Sequence, residues 1–172
     1  MDLVQKAYIF AEHHHALQER KYTGEAYIVH PVAVHNLVST VTPNLYILAA
    51  ALLHDVVEDC DVTPQEVWRE FGPVVGKLVI GMTQVSKPED GNRAIRKTKD
   101  LEYLRLQSGD VQTIKYADMI DNAKSIVEYD RGFAKTFMKE MKTLLEALTL
   151  GSSVLYSEAL EIVDMYYEGE AG

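Results

Sequence analysis

The stretch Ile47-Leu48-Ala49-Ala50-Ala51-Leu52-Leu53 is apolar at every position. As a helix it presents no face that gains from water, so the rest of the chain must enclose it. The segment 44–59 that contains it is expected to be one helix, opened by Pro43. Proline at a first helical position loses nothing, because the N–H it lacks has no partner there. Pro31 is expected to open a helix in the same way.

The remaining sequence supplies the enclosing elements. Residues 2–20 carry Leu3, Ala7, Tyr8, Phe10, Ala11 and Leu17 near a 3.6-residue period. Thr63-Pro64-Gln65-Glu66 is a capping box that starts a helix to about Phe71. Gly72-Pro73 breaks the chain and restarts it through 74–83, and the polar segment 86–92 reads as a loop. Further helices are expected at 93–107, 111–129, 133–149 and 153–168, joined at Ser108-Gly109-Asp110 and at Gly151. No strand-like alternation survives, and there is no internal repeat. The expected fold is all-α, a compact bundle of about eight helices packed at mixed angles. Nothing in the proline and glycine punctuation separates two cores, so residues 1–172 are expected to form a single domain.

Composition excludes several classes of function. With 47% apolar and 25% charged residues the chain reads as globular, and no apolar run approaches the ~18 residues of a membrane span. The N-terminus lacks the basic-then-apolar pattern of a secretory signal. A lone cysteine, Cys60, is compatible with a reducing cytosol, so a cytoplasmic location is expected. A net charge of −9 argues against broad nucleic-acid binding, while a small anion needs only locally focused positive charge.

Chemistry concentrates where the apolar run ends. His54 and Asp55 abut it directly, and Glu58 and Asp59 follow one turn later. On a continuous helix these four side chains project within roughly a 140° arc. Burying such groups costs several kcal/mol unless something pairs with them, and a metal cation is a common partner. Two further polar residues interrupt apolar surroundings. His30 precedes Pro31 in Ala26-Tyr27-Ile28-Val29-His30-Pro31, and Asp118 falls within Thr113-Ile114-Lys115-Tyr116-Ala117-Asp118-Met119-Ile120, with Asn122 on the same face. Singly, a core histidine and a mid-helix aspartate are ordinary. Together with His54 and Asp55 they make a set of two imidazoles and two carboxylates.

The order of these blocks resembles the HD phosphohydrolase superfamily, and within it the RelA/SpoT-type hydrolase domain in the stand-alone form typified by the metazoan SpoT homologue. The resemblance covers about residues 7–125. It runs through His15-x-x-Gln18-x-Arg20, Gly24-x-x-Tyr27-Ile28-x-His30-Pro31, residues 50–59, Phe71-Gly72 with Leu78-Val79-x-Gly81-x-Thr83, and Lys115-x-Ala117-Asp118-x-x-x-Asn122. It implies that His30, His54, Asp55 and Asp118 bind one divalent metal, typically Mn²⁺. A mixed imidazole and carboxylate set without thiolate suits Mn²⁺, Fe²⁺ or a similar ion. Such an ion acidifies water and polarises a phosphoryl oxygen. Glu58 and Asp59 are implied to position that water or take its proton. Arg20, Lys21, Thr23 and Asn122 are implied to hold the substrate. The implied reaction is hydrolysis of the 3′-diphosphate of (p)ppGpp or a relative such as (p)ppApp, releasing pyrophosphate. The expected partner is a small nucleotide, not nucleic acid or membrane, and oligomerisation is left open. No synthetase or regulatory region accompanies the blocks, so degradation and not synthesis is expected.

Other features are read more plainly. His13, His14 and His15 point about 100° apart on a helix, and only His15 falls in a family block, as a packing or supporting residue. Cys60 reads as a small packed side chain. The basic cluster Arg93, Arg96, Lys97 and Lys99 is read first as a solvated helical face and second as a contact for pyrophosphate. The chain departs from the family at Ala26, which replaces the usual proline, in a loop around Lys21 one residue longer than the common form, and at Met119 and Asp121. These positions flank the substrate residues and leave the metal set intact. Two rival functions share the scaffold: phosphate removal from another nucleotide such as NADPH, and a non-catalytic nucleotide- or partner-binding protein.

Overall fold

Most helices in the chain start where a short polar side chain accepts one of the first free backbone N–H groups. Asp2 caps Gln5, Asn44 caps Tyr46, Thr63 caps Glu66, Asn92 caps Ile95, Ser108 caps Val111 and Asp130 caps Phe133. The computed structural model describes residues 1–171, and these fall into two compact units, Met1–Thr83 and a second that begins at Gln84.

The first unit holds α1 (Leu3–His14), α2 (Val29–Ser39), α3 (Leu45–Leu53), the single turn α4 (Val56–Asp59) and α5 (Pro64–Met82). As expected of its sequence, α3 is buried along residues 47–53 and packs against α1, α2 and α5. Each fully buried Leu or Ile side chain there contributes about 1.5–3 kcal/mol of transfer free energy. Helix α5 bends at Gly72, whose φ of 79° lies in the left-handed region, so the expected Gly72-Pro73 break is present. The Thr63 capping box is formed with both of its hydrogen bonds.

Three local expectations are corrected. Pro43 does not open α3; Asn44 is the cap and Pro43 lies one residue outside. Pro31 is the third residue of α2, still within the first turn where an N–H has no intrahelical acceptor. The expected helix 44–59 is interrupted at His54-Asp55. There His54 Nδ1 donates to the Ala51 carbonyl at 2.8 Å, the acceptor that a continuing helix would offer to the Asp55 N–H. The Glu58 N–H then reaches back only three residues, to the Asp55 carbonyl at 3.1 Å.

The second unit holds a 3₁₀ turn at Pro88–Asp90, then α6 (Arg93–Leu104), α7 (Gly109–Tyr129), α8 (Arg131–Ala147) and α9 (Ser153–Ala171). Helix α7 packs against α8 and α9. The α8–α9 turn is fastened to α7 by three polar contacts. Tyr116 Oη donates to the Leu148 carbonyl at 2.6 Å, and the Leu150 and Ser152 N–H groups donate to Gln112 Oε1 and Thr113 Oγ1 at 2.8 Å each. Gly151 sits so close that a Cβ would meet the Thr113 amide nitrogen at 2.9 Å and crowd the Tyr116 ring. Among the described residues the fold is all-helical, its sole β-type pairing being an isolated bridge between Glu19 and Ala26. Counting α4 as the interrupted continuation of α3, the helices number about as many as the sequence suggests. Among the described residues no helix is long and apolar enough to cross a membrane.

Candidate metal centre

Two buried imidazoles and one carboxylate converge in the first unit. His30 stands in the first turn of α2, and His54 and Asp55 stand at the end of α3, which packs against α2. The ligand atoms of His30, His54 and Asp55 lie within 4.8 Å of one another. Both histidines are almost fully enclosed, at 1% and 2% exposure. Their rings meet edge to face with centroids 5.1 Å apart.

The interruption of α3 fixes the chemistry of this corner. A carbonyl oxygen only accepts, so the hydrogen bond to Ala51 places a proton on His54 Nδ1. His54 Nε2 therefore faces Asp55 Oδ2, 3.1 Å away, and His30 Nε2 lies 3.5 Å from the same oxygen. A neutral imidazole lone pair aimed at a carboxylate oxygen is repulsive unless positive charge stands between them. A proton or a metal ion satisfies that demand. Two imidazole nitrogens and a carboxylate oxygen, with no sulfur among them, fit a divalent first-row ion in a site completed by water.

A phenol braces the carboxylates. Tyr27 Oη lies 2.7 Å from Asp55 Oδ2 and 3.0 Å from Asp59 Oδ2. Burial, reinforced by the two negative charges, pushes the Tyr27 hydroxyl far above its ordinary range, so it stays a donor. Desolvation and then the Asp55 charge raise the Asp59 carboxyl above its usual value, with the Tyr27 hydroxyl opposing them. His15 is buried and stacks on the Tyr27 ring at 4.7 Å, as a supporting residue should. Its Nδ1 donates to Gln18 Oε1 at 2.7 Å, and Gln18 Nε2 donates to the Asp59 carbonyl at 2.6 Å. The block His15-x-x-Gln18 thus ties the end of α1 to the end of α4. Cys60 borders this strut, and burial pushes its thiol up to about 11, which suits a packed side chain and not a nucleophile.

The other expected site residues divide between the units. Arg20 sits in a tight loop closed by the Arg20–Glu25 and Gly24–Arg20 backbone bonds, and its guanidinium lies 5.9 Å from the Tyr27 ring centre. Lys21 reaches over Tyr22 and bonds its hydroxyl at 3.2 Å, while Thr23 Oγ1 accepts from the Glu25 N–H at 3.4 Å. Glu58 lies in α4 beside Asp59. Asp118 and Asn122 belong to α7 of the second unit. There the buried Asp118 accepts from Lys115 Nζ at 2.6 Å and from Asn122 Nδ2 at 2.7 Å, so these residues do share a face. Tyr27 is the residue that sequence reasoning quoted without assigning a role. A tyrosine next to Ile28 and Val29, three positions before His30, was the available signal, since a buried phenol needs an acceptor.

Comparison with known proteins places the chain in a family. The HD domain family matches residues 7–148. The chain is similar to the guanosine-3′,5′-bis(diphosphate) 3′-pyrophosphohydrolase of Aquifex aeolicus, with 34% identity over 80% of this chain and 20% of that protein. It is also similar to the protein of the same name from Vibrio cholerae, with 35% identity over 73% of this chain and 18% of that protein. The chain thus spans about a fifth of the length of these curated relatives. A solved metazoan orthologue of SpoT, described as hydrolysing ppGpp and acting in starvation responses, superposes with a TM-score of 0.87 at 25% identity, covering 96% of both chains. From the family match over most of its length, the all-helical fold and the His-Asp corner at the end of α3, the chain belongs to the HD-domain family.

Proposed function

We propose that this chain is a divalent-metal-dependent phosphohydrolase that removes the 3′-diphosphate of (p)ppGpp or a close relative such as (p)ppApp. The convergence of His30, His54 and Asp55 beside a braced Asp59 carries this reading. The names of the relatives and the metazoan SpoT orthologue support it. His30, His54 and Asp55 would hold the ion, with Asp118 as a further ligand on the strength of its sequence block. The ion is taken as Mn²⁺, and when bound it supplies Lewis acidity to a phosphoryl oxygen and to water.

The protein's own groups do the rest. Glu58 and Asp59 take the proton as a water oxygen bonds to phosphorus and the bond from phosphorus to the 3′ oxygen breaks. Pyrophosphate leaves, and the 3′ oxygen takes up a proton handed back by the same carboxyl groups to become a free hydroxyl. Arg20, leaning on the Tyr27 ring, offers a flat cation for a purine or a phosphate, with Lys21, Thr23 and Asn122 as further contacts. The family match crosses the boundary between the two units, which supports reading residues 1–172 as one HD domain. A cytoplasmic enzyme acting on a small nucleotide fits the single cysteine and the acidic composition.

The test is turnover of ppGpp, ppApp and NADPH with Mn²⁺ by wild type, Asp55→Ala and Glu58→Ala. Asp55→Ala is expected to lose both metal and activity. Glu58→Ala is expected to keep the metal and lose most of its turnover. Unchanged activity in either variant refutes the mechanism, and phosphate release from NADPH without turnover of the alarmones refutes the substrate.

A further inference from the structure

Helix α4 is a single turn, Val56–Asp59. One turn fixes many dihedrals for few hydrogen bonds, so it is a weak support by itself. The Glu58 and Asp59 N–H groups close it on the Asp55 carbonyl at 3.1 and 2.9 Å. Cys60 then leaves in extended backbone, with φ −125° and ψ 166°, so the turn ends with its last carbonyls short of helical donors. Yet Asp59 carries a carboxylate that the proposed reaction needs at a fixed place.

A small hairpin supplies the hold. The Tyr27 N–H donates to the Gln18 carbonyl at 2.9 Å, Glu19 pairs with Ala26, and the Arg20 N–H donates to the Glu25 carbonyl at 2.8 Å. Both feet of this hairpin stand on Asp59. Tyr27 Oη meets the carboxylate, 3.0 Å from Oδ2. Gln18 Nε2 donates to the main-chain carbonyl at 2.6 Å. One foot thus steadies the side chain and the other the backbone.

The Gln18 carboxamide points in one direction only. The Asp59 carbonyl accepts and cannot donate, so the amide nitrogen faces it and Oε1 faces away. Oε1 in turn accepts from His15 Nδ1 at 2.7 Å. His15 is 2% exposed and stacks on the Tyr27 ring, with the Cys60 thiol 3.3 Å from the same Nδ1. A buried ring packed on one foot therefore orients the amide of the other. A glutamine that merely filled space would need neither the directed bond nor the orienting partner.

We infer that Gln18 is a positioning residue for Asp59: its amide fixes the Asp59 backbone so that the carboxylate is held where the proton is taken. The role of Asp59 rests on the proposed hydrolase reading; the hold rests on the hairpin's own hydrogen bonds. Arg20 and Lys21 lie in the same hairpin, closed by backbone bonds that do not involve the Gln18 side chain. Loss of the amide should therefore act on turnover and spare substrate binding.

Gln18→Met keeps the length of the side chain and removes the donor. In the full chain loaded with Mn²⁺, its kcat is expected to fall about tenfold on ppGpp, or on whichever nucleotide wild type hydrolyses, with KM and Mn²⁺ affinity within about twofold of wild type. The carboxyl introduced by Gln18→Glu can donate to the Asp59 carbonyl only when protonated. The deficit of that variant, taken as a ratio to wild type at each pH, is expected to shrink from about pH 8 to about pH 5. Amide hydrogen exchange in metal-free protein reads the hold without activity. Exchange at the Asp59 N–H is expected to quicken several-fold in Gln18→Met, and exchange at the Glu66 N–H in the Thr63 box to stay as in wild type. Thermal melting confirms that each variant folds, and Gln18→Glu decides the matter if Gln18→Met does not. If wild type turns over no nucleotide, the hydrolase reading has failed, and the exchange at Asp59 alone decides whether Gln18 holds it. Wild-type kcat in Gln18→Met, a loss carried wholly by KM, a pH-independent deficit in Gln18→Glu, or unchanged exchange at Asp59 overturns the inference.

Discussion

Asp55 and Asp118 are both aspartates embedded in helical cores, and the protein meets their charges in opposite ways. Asp55 faces two imidazoles and a phenol, none carrying an obligatory positive charge. Asp118 is clasped by the Lys115 ammonium and the Asn122 amide on its own helix. The first corner gathers donor groups that suit a metal ion; the second already holds an ammonium. On the proposed reading, the three-ligand cluster in the first unit would be the primary metal-holding element. As a ligand, Asp118 would share its carboxylate between the Lys115 ammonium and the ion.

The contrast predicts unequal losses on substitution. Asp118→Asn should weaken Mn²⁺ affinity by about 10–100-fold, less than the complete loss expected of Asp55→Ala, as read by calorimetric titration. Equal effects would abolish the distinction. In the same experiment Lys115→Met leaves Asp118 buried with one partner fewer and should cost about 1–3 kcal/mol of stability. Mn²⁺ should recover more of that stability in the variant than it adds to wild type, because the freed carboxylate gains a cation. A deficit untouched by Mn²⁺ would confine Asp118 to a structural ion pair.

Tyr27→Phe comes next in size. It removes the hydroxyl between Asp55 and Asp59 while keeping the ring that stacks on His15. Metal affinity or turnover should fall by about tenfold, the low end for outer-shell partners of a metal site. Melting temperature should change little, and a variant that binds and turns over like wild type would show the bridge to be incidental.

The smallest effect concerns Asp59, whose folded carboxyl is raised above its ordinary 3.8. Its contribution to stability is fully present below that value and is lost as pH rises through the higher folded value. Asp59→Asn removes this loss. The metal-free variant should therefore gain on wild type in melting temperature as pH climbs from about 4 toward neutrality. A difference that stays flat with pH would argue against the strained Asp55–Asp59 pairing.

The helical framework was legible because its signals are local. The apolar run 47–53 becomes the enclosed α3, the Thr63 box forms, and Gly72-Pro73 bends α5. The convergence of His30 with His54-Asp55 was legible as a set of residue types, and the geometry adds that they meet around Asp55 Oδ2. What escaped depends on side chains competing with or bridging the backbone. Nothing in the string 51–55 announces that His54 takes the Ala51 carbonyl and so ends the helix. Likewise the Tyr27 bridge spans 28 and 32 residues, and the ion pair between Arg93 and Glu140 spans 47.

An anomalous-scattering map from crystals of the Mn²⁺-loaded protein tests the metal centre most directly. A single peak within roughly 2.0–2.6 Å of His30 Nε2, His54 Nε2 and the Asp55 carboxylate is the expected result. A peak elsewhere, or protonated histidines paired to Asp55 with no ion in saturating Mn²⁺, would contradict it.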